Sequence, residues 1–261
     1  MYEMNMIHKT ALVSSTAEIG SGVEIGPYAV IGDTVQIGND TTVGSHVVIE
    51  GYTRIGERCK IFQFCSLGAV PQDLKFKDER TELIIGNNNT FREFVTINRG
   101  TPGGGGKTVL GNNNFLMAYS HVAHDCQIGN QVIIANSASL AGHIHIEDCA
   151  IIGGLVGIHQ FVHIGCYAII GGLTGVSKDV PPYMMAVGER AKLYGVNLIG
   201  LKRRGFPPDV IRELKTAYRI IFRSGLTVKK AFEKVDEENL TSAEVKHLVD
   251  FIKNSKRGVI R

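Results

Sequence analysis

Aliphatic residues recur every six positions from the start of the chain: Ile7, Val13, Ile19, Ile25, Ile31, Ile37, Val43, Ile49, Ile55, Ile61 and Leu67, eleven in succession, seven of them followed directly by glycine. The fourth residue after each is small or modest, as at Ala11, Ala17, Val23, Ala29 and Val35. The period resumes at Ile85, Phe91 and Ile97, slips by one residue, and runs from Leu110 through Ile128, Ile146 and Ile164 to Val176. A period of six fits neither the 3.6 residues of a helical turn nor the alternation of a long strand. It predicts a short strand plus a tight corner, with Gly, Asn and Asp after the aliphatic residue supplying the positive φ that corners need. Three such sides make an 18-residue coil, and stacked coils make a parallel β-helix of about ten turns, each rising by about 4.8 Å. The aliphatic residues point into the prism and stack on one another. The period leaves the hand of the coil open.

Two segments interrupt the pattern. Ala69 to Leu83 (AVPQDLKFKDERTEL) is polar and charged, and reads as a loop extruded from one corner. Gly100 to Thr108 (GTPGGGGKT) is glycine-rich. Its end resembles a phosphate-binding loop, but Thr101 stands where that motif needs its first glycine and VLGNNN starts no helix, so it reads as a flexible loop. After Pro181-Pro182 the repeat stops. Residues 208–223 put Ile211, Leu214, Tyr218, Ile221 and Phe222 on one helical face ahead of Gly225, and Thr241-Ser-Ala-Glu244 predicts a capping box opening a helix to about Asn254. The expected division is a β-helix over 1–186 and a helical domain over 187–261.

Charge changes this picture at one end. From Lys202 onward there are fifteen Lys/Arg against eight Asp/Glu, a balance of +7, and the preceding residues carry 13 against 17, or −4. The basic end points to an acidic partner or a phosphate; nothing points to nucleic acid. Five cysteines without CxxC spacing argue against a disulfide framework or a zinc ribbon and fit a reducing cytosol. No apolar stretch is long enough to predict a membrane span, and no leader pattern opens the chain.

The candidate chemistry lies in SHVAHDCQIGN, Ser120 to Asn130, where His121 and His124 are three apart and Asp125 follows. His-x-x-His by itself suits a zinc site, a proton relay or a surface turn. The 18-residue coil narrows this. His124 falls in line with Gly142 and Gln160, and His143 and His159 lie within the next two coils. His124 is then a general base for a substrate hydroxyl, Asp125 its orienting partner given a bend that lets neighbours meet, and Gly142 a backbone donor to an acyl oxyanion. No Ser or Cys nucleophile motif is nearby, so direct attack by the acceptor is expected, with no cofactor. Zinc hydratases with the same coil need a histidine pair with four residues between, whereas His121/His124 and His159/His163 have two and three. No metal is therefore expected at this cluster, and a purely structural hexapeptide protein fits the clustered histidines less well.

PQDLK (Pro71–Lys75), LAGH (Leu140–His143), GIHQF (Gly157–Phe161), DVPPY (Asp179–Tyr183) and GVNLIGLKRRGF (Gly195–Phe206), with SHVAHDCQIGN, resemble the UDP-N-acetylglucosamine O-acyltransferases over nearly the whole chain from Ile7, leaving Met1 to Asn5 as an extra tail. The resemblance implies a left-handed parallel β-helix and a cytoplasmic homotrimer with active sites in grooves between neighbours. It implies transfer of a 3-hydroxyacyl chain from acyl carrier protein to UDP-N-acetylglucosamine in lipid A synthesis. It makes His124 the base and Gly142 the oxyanion donor, lines the sugar and acyl pocket with Gln72, Asp73, Lys75, His121, His143 and His159, and holds the UDP part with Gln160, Asn197, Arg203 and Arg204. The resemblance also implies that Gly172 helps set the depth of the acyl groove. Ile199, Asn98 and Arg190 depart from the family pattern, in which glutamate and two histidines are common.

Overall fold

A computed structural model describes residues 5–261, so residues 1–4 of the expected tail lie outside the described residues, while Asn5 Oδ1 accepts the Val23 N–H at 3.1 Å. Most hexads contribute a two-residue strand, such as Gln127–Ile128 or Ile133–Ile134, whose second residue is the aliphatic one, buried from Ile25 onward. The strands sort into three faces, each taking every third strand in parallel: Met6–Ile7, Glu24–Ile25 and Thr42–Val43 begin the first face, Leu12–Val13 and Val30–Ile31 the second, and Glu18–Ile19 and Gln36–Ile37 the third. Register is 18 residues where no insertion intervenes, as in His121↔Ser139 and Gln127↔His145. The result is a left-handed parallel β-helix. Its interior is a stack of branched aliphatics such as Ile128, Ile134, Leu140, Ile146 and Ile152, none more than 3% exposed. Each contributes about 1.5–3 kcal/mol by leaving water.

The corners differ from the expectation. Positive φ falls not on the glycine after the aliphatic residue but on the third residue after it, and from Asn113 to Leu173 every sixth residue has φ between 55° and 64°. None of these eleven is glycine, and the interior stacking offsets their left-handed cost of roughly 1–2 kcal/mol each. The glycine has another task. A Cβ on Gly38 would sit 2.6 Å from the carbonyl carbon of Gly56 one coil on, so close backbone approach is what excludes a side chain there.

Both insertions leave the corner between the second and third faces. The chain departs from Ser66–Ala69 and re-enters at Glu82–Ile85, then departs from Thr96–Asn98 and re-enters at Lys107–Leu110. Beyond the last coil, Met184–Val187 joins the first face and Lys192–Val196 pairs antiparallel to it. Four helices follow: α1 (Leu198–Arg203), α2 (Pro208–Arg223), α3 (Val228–Glu237) and α4 (Ala243–Asn254). Helix α2 buries Ile211, Leu214 and Ile221 as expected, with Ala217 beside them, while Tyr218 and Phe222 are half-buried. The cap of α4 is Ser242, whose side chain accepts the Val245 N–H, rather than Thr241. Asp179 fastens the C-terminal segment to the prism, accepting from Ser255 Oγ at 2.6 Å. Among the described residues no helix is long and apolar enough to cross a membrane.

Candidate active site

The corner between the second and third faces carries, coil after coil, the Gln72 loop, the glycine-rich insertion, His124–Asp125, Gly142–His143 and His159–Gln160. Stacking in register puts Gly142 against the His124 ring: a Cβ there would lie 2.6 Å from His124 Cε1. On an extended strand, neighbouring side chains point to opposite faces. Asp125 escapes this because it holds the corner's positive φ, 62°, and its carboxylate turns back to meet His124 Nδ1 at 2.7 Å. The carboxylate only accepts, so Nδ1 carries the proton and the Nε2 lone pair is left to act as a base.

Asp125 is itself held on all sides. Its side chain is fully buried, Oδ1 accepts the Thr101 N–H at 2.8 Å, Oδ2 accepts from Thr101 Oγ1 at 2.6 Å, and its own N–H donates to Thr108 Oγ1 at 2.8 Å. Thr101 and Thr108 are the two ends of the glycine-rich insertion, which corrects its reading as a flexible loop. Pro102–Gly104 form a 3-10 turn over the carboxylate, and a Cβ on Gly104 would overlap it. Neither threonine was legible as a site residue, because their contact with Asp125 spans 24 and 17 positions.

His143 meets the His124 ring edge-on at 5.1 Å and stacks on Phe161 at 4.5 Å. Its Nε2 is 3.7 Å from Asp125 Oδ2. Burial lowers its pKa below the ordinary histidine value, against the pull of Asp125. His121 shares a hydrogen bond with Thr96 Oγ1 at 2.7 Å and is likewise lowered, by burial first and by nearby His124 second. His124, Asp125 and His143 bring potential ligand atoms within 4.8 Å of one another. As a metal site this set is poorly prepared: the Asp125 oxygens already accept from Thr101 and His124, and Nδ1 of His124 is protonated. The donors are arranged for proton transfer.

A groove of about 910 Å³ runs along this corner and the second face, lined among others by Gln72, His121, His124, Gly142, His159 and Gln160. Arg190, one of the three departures, also faces it. Arg257, which no motif pointed to, donates to Ser177 O at 3.1 Å and approaches His159 Nδ1 at 3.3 Å. Asn98 ties down the first loop through Val70 O at 2.9 Å. Asp73 Oδ1 accepts the Lys75 N–H at 2.9 Å within that loop, and Lys75 is exposed.

The remaining expected residues lie elsewhere on the prism. Arg204 donates to Gln131 Oε1 at 2.6 Å, at the corner between the third and first faces. Asn197 caps α1 beside Tyr167 at that same corner, accepting the Gly200 N–H and donating to Tyr167 O at 3.0 Å, so its amide is engaged at both ends. Arg203 and Ile199 are exposed on α1. Gly172 sits at the third corner, between the first and second faces, where a Cβ would meet Gly154 O at 3.2 Å. One chain therefore brings His124, Asp125 and Gly142 together, and keeps Arg203, Arg204 and Gly172 on other edges.

Comparison with known proteins identifies the family. Residues 179–260 match the model of the second domain of UDP N-acetylglucosamine O-acyltransferase, and residues 16–51 and 107–142 match that of the bacterial transferase hexapeptide. An acyl-[acyl-carrier-protein]–UDP-N-acetylglucosamine O-acyltransferase of Thermodesulfovibrio yellowstonii is 57% identical over 99% of this chain and 100% of its own. The UDP-N-acetylglucosamine acyltransferase of Bacteroides fragilis superposes with a TM-score of 0.96 at 47% identity, covering 98% of this chain and 100% of that one. The corresponding enzyme of Francisella novicida gives 0.95 at 42%, covering 98% and 94%. The chain belongs to the UDP-N-acetylglucosamine O-acyltransferase family.

Proposed function

We propose that this chain moves an (R)-3-hydroxyacyl group from acyl carrier protein to the 3-hydroxyl of UDP-N-acetylglucosamine, the opening step of lipid A synthesis, with His124 as general base. The observation that carries this reading is the His124 Nδ1 contact to buried Asp125 at 2.7 Å, which leaves Nε2 as the basic atom of a groove-lining residue. His124 Nε2 takes the proton as the sugar oxygen adds to the thioester carbonyl. The Gly142 N–H, which donates to no backbone acceptor among the described residues, receives the oxyanion. Collapse breaks the C–S bond, and His124 returns the proton to the departing thiolate. His121, with its lowered pKa, stays neutral beside the base and does not oppose its protonation.

Gln72, Asp73, Lys75, His121, His143 and His159 hold the sugar and the acyl head in this reading. Asn197, Arg203 and Arg204, with Gln160, hold the UDP part, and Gly172 leaves room for a long acyl chain. Since the arginines and Gly172 lie on other edges than His124, the complete site is formed between copies, and the working unit is a homotrimer. An exposed apolar edge supports this: Tyr28, Phe64, Phe94, Tyr119, Leu155 and Leu173 run along the corner that carries Gly172.

The test is acyl transfer by purified protein with 3-hydroxyacyl carrier proteins of several chain lengths, UDP-N-acetylglucosamine and its 3-amino analogue as acceptors, and acetyl-CoA as the control donor. His124→Ala lowers kcat by about 10² to 10⁴ and leaves binding of the UDP-sugar intact. Near-normal turnover by the folded variant overturns the assignment, and transfer from acetyl-CoA alone overturns the donor.

A further inference from the structure

His121 and His124 stand three residues apart in one coil, and both line the groove. Their Nδ1 atoms meet different partners. His124 Nδ1 is 2.7 Å from an Asp125 oxygen, and a carboxylate only accepts, so that nitrogen carries the proton. His121 Nδ1 is 2.7 Å from Thr96 Oγ1, and a hydroxyl can donate or accept. Coil register builds this contact: Thr96 stands one coil before His121 and Ile97 one coil before Val122, with the aliphatic pair buried in the prism and Thr96 and His121 turned outward. The Thr96 N–H donates to Ser120 O at 3.1 Å, and a β-branched side chain on a strand has few χ1 choices, so the hydroxyl is fixed against the ring. Among the described residues Thr96 Oγ1 makes no other hydrogen bond, so Nδ1 is the acceptor its half-buried proton has. Were Nδ1 the donor instead, that proton would have no protein acceptor. Burial, and after it the nearby His124, hold the His121 pKa below the ordinary histidine value, so the ring has a single proton to place at neutral pH.

We propose that Thr96 is a positioning residue: its hydroxyl donates to His121 Nδ1 and so puts the ring proton on Nε2, which presents His121 to the groove as a hydrogen-bond donor to a carbonyl or hydroxyl oxygen of the sugar. This rests on the reading above, in which the sugar sits against His121. The two histidines then face the groove in opposite states, His124 Nε2 offering a lone pair and His121 Nε2 a proton. Among the described residues His121 Nε2 has no hydrogen-bond partner, which leaves it to the substrate. A donor beside the base holds the sugar so that its reacting hydroxyl is aimed at His124 Nε2. With its Nε2 already protonated, His121 cannot take the proton of that hydroxyl, so the pair divides into one base and one donor although the two residue types are the same.

The test begins with the full chain free of substrate, its histidine ring nitrogens isotope-labelled and read by NMR. In the neutral rings of the wild type, His121 should carry its proton on Nε2 and His124 on Nδ1. Thr96→Val keeps the shape and removes the donor. A hydrogen bond given to the neutral ring disfavours its protonation, so losing it should raise the His121 titration midpoint, by up to about one pH unit, whereas losing an acceptor would lower it. In the acyl-transfer assay Thr96→Val should raise KM for UDP-N-acetylglucosamine about threefold to tenfold with kcat changed by less than about twofold, and Thr96→Ser should restore both KM and midpoint. The proposal is overturned by any of three results: a proton on Nδ1 of wild-type His121, a midpoint that falls in Thr96→Val, or a KM that rises equally in Thr96→Ser, as lost packing would make it. The first is read on the wild type and needs no variant to fold. A wild type with the proton on Nε2 that transfers no acyl group would overturn the activity and leave the Thr96 contact standing.

Discussion

Thr101 Oγ1 and His124 Nδ1 share one oxygen of Asp125, at 2.6 and 2.7 Å, and the Asp125 side chain is fully buried. A buried carboxylate that loses a donor is left short of a partner, at about 1.5–3 kcal/mol for a bond to a charged group. Thr101→Val should therefore lower stability by about 2 kcal/mol in urea melts. It should also reduce kcat roughly tenfold as Asp125 ceases to fix the imidazole, and Thr101→Ser should restore both. His143 offers a pH test. Burial holds its pKa below the ordinary value near 6.5, so the unfolded chain takes the proton first as pH falls. The stability it contributes is full above about pH 6.5 and is lost as pH falls through the folded value. His143→Asn removes this titration, and asparagine accepts the φ of 60° at that corner. Melting temperatures measured from about pH 7.5 down to about pH 5 should move in favour of the variant, and a constant gap between the two proteins would contradict the assignment.

At the scale of elements, α2 was readable because its apolar residues repeat at helical spacing against one face. Helix α1 was hidden inside a six-residue stretch whose Arg203 was expected to hold the nucleotide, and α3 inside a run dominated by Lys and Glu. Thr227, whose side chain accepts the Lys230 N–H, was the available signal for α3. The exposed face of α2 presents Arg212, Lys215 and Arg219. Arg223, on the same face by spacing, is held back: its guanidinium donates to Tyr218 Oη at 2.7 Å and Leu193 O at 3.0 Å. If these three exposed cations meet the acidic carrier protein, Arg212→Glu with Arg219→Glu should raise KM for acyl carrier protein about tenfold or more and flatten its salt dependence, with KM for the UDP-sugar unchanged. Equal effects on both substrates would remove the docking role.

For the whole molecule, three corners of one prism carry three kinds of chemistry: His124 on one, the exposed apolar residues and Gly172 on the next, and Arg204 with Asn197 on the last. A site that needs the first and last edges from different copies makes a prediction about mixtures. In the proposed trimer, His124→Ala and Arg204→Ala proteins should each be impaired, but when the two chains are co-expressed one to one, about one site in four should have both intact residues and activity should return in proportion. Mixtures no more active than the better parent would show that one chain supplies both residues.

The hexad period by itself determined the β-helix, its three faces and the 18-residue register, because a side chain every sixth position has only one way to stay inside a prism. From that register alone His124, Gly142 and Gln160 fall into line, and the family motifs named the arginines. What only the tertiary structure decided is where the insertions fold and what reaches back across the chain. Thr101 clasps Asp125 from 24 positions away, and His247 meets Glu147 from 100 positions away. Contacts of that span leave no period and no spacing in a sequence. They arise because loops and helices leaving a rigid prism have few surfaces to settle on, and the buried Asp125 and half-buried Glu147 carboxylates find their donors there.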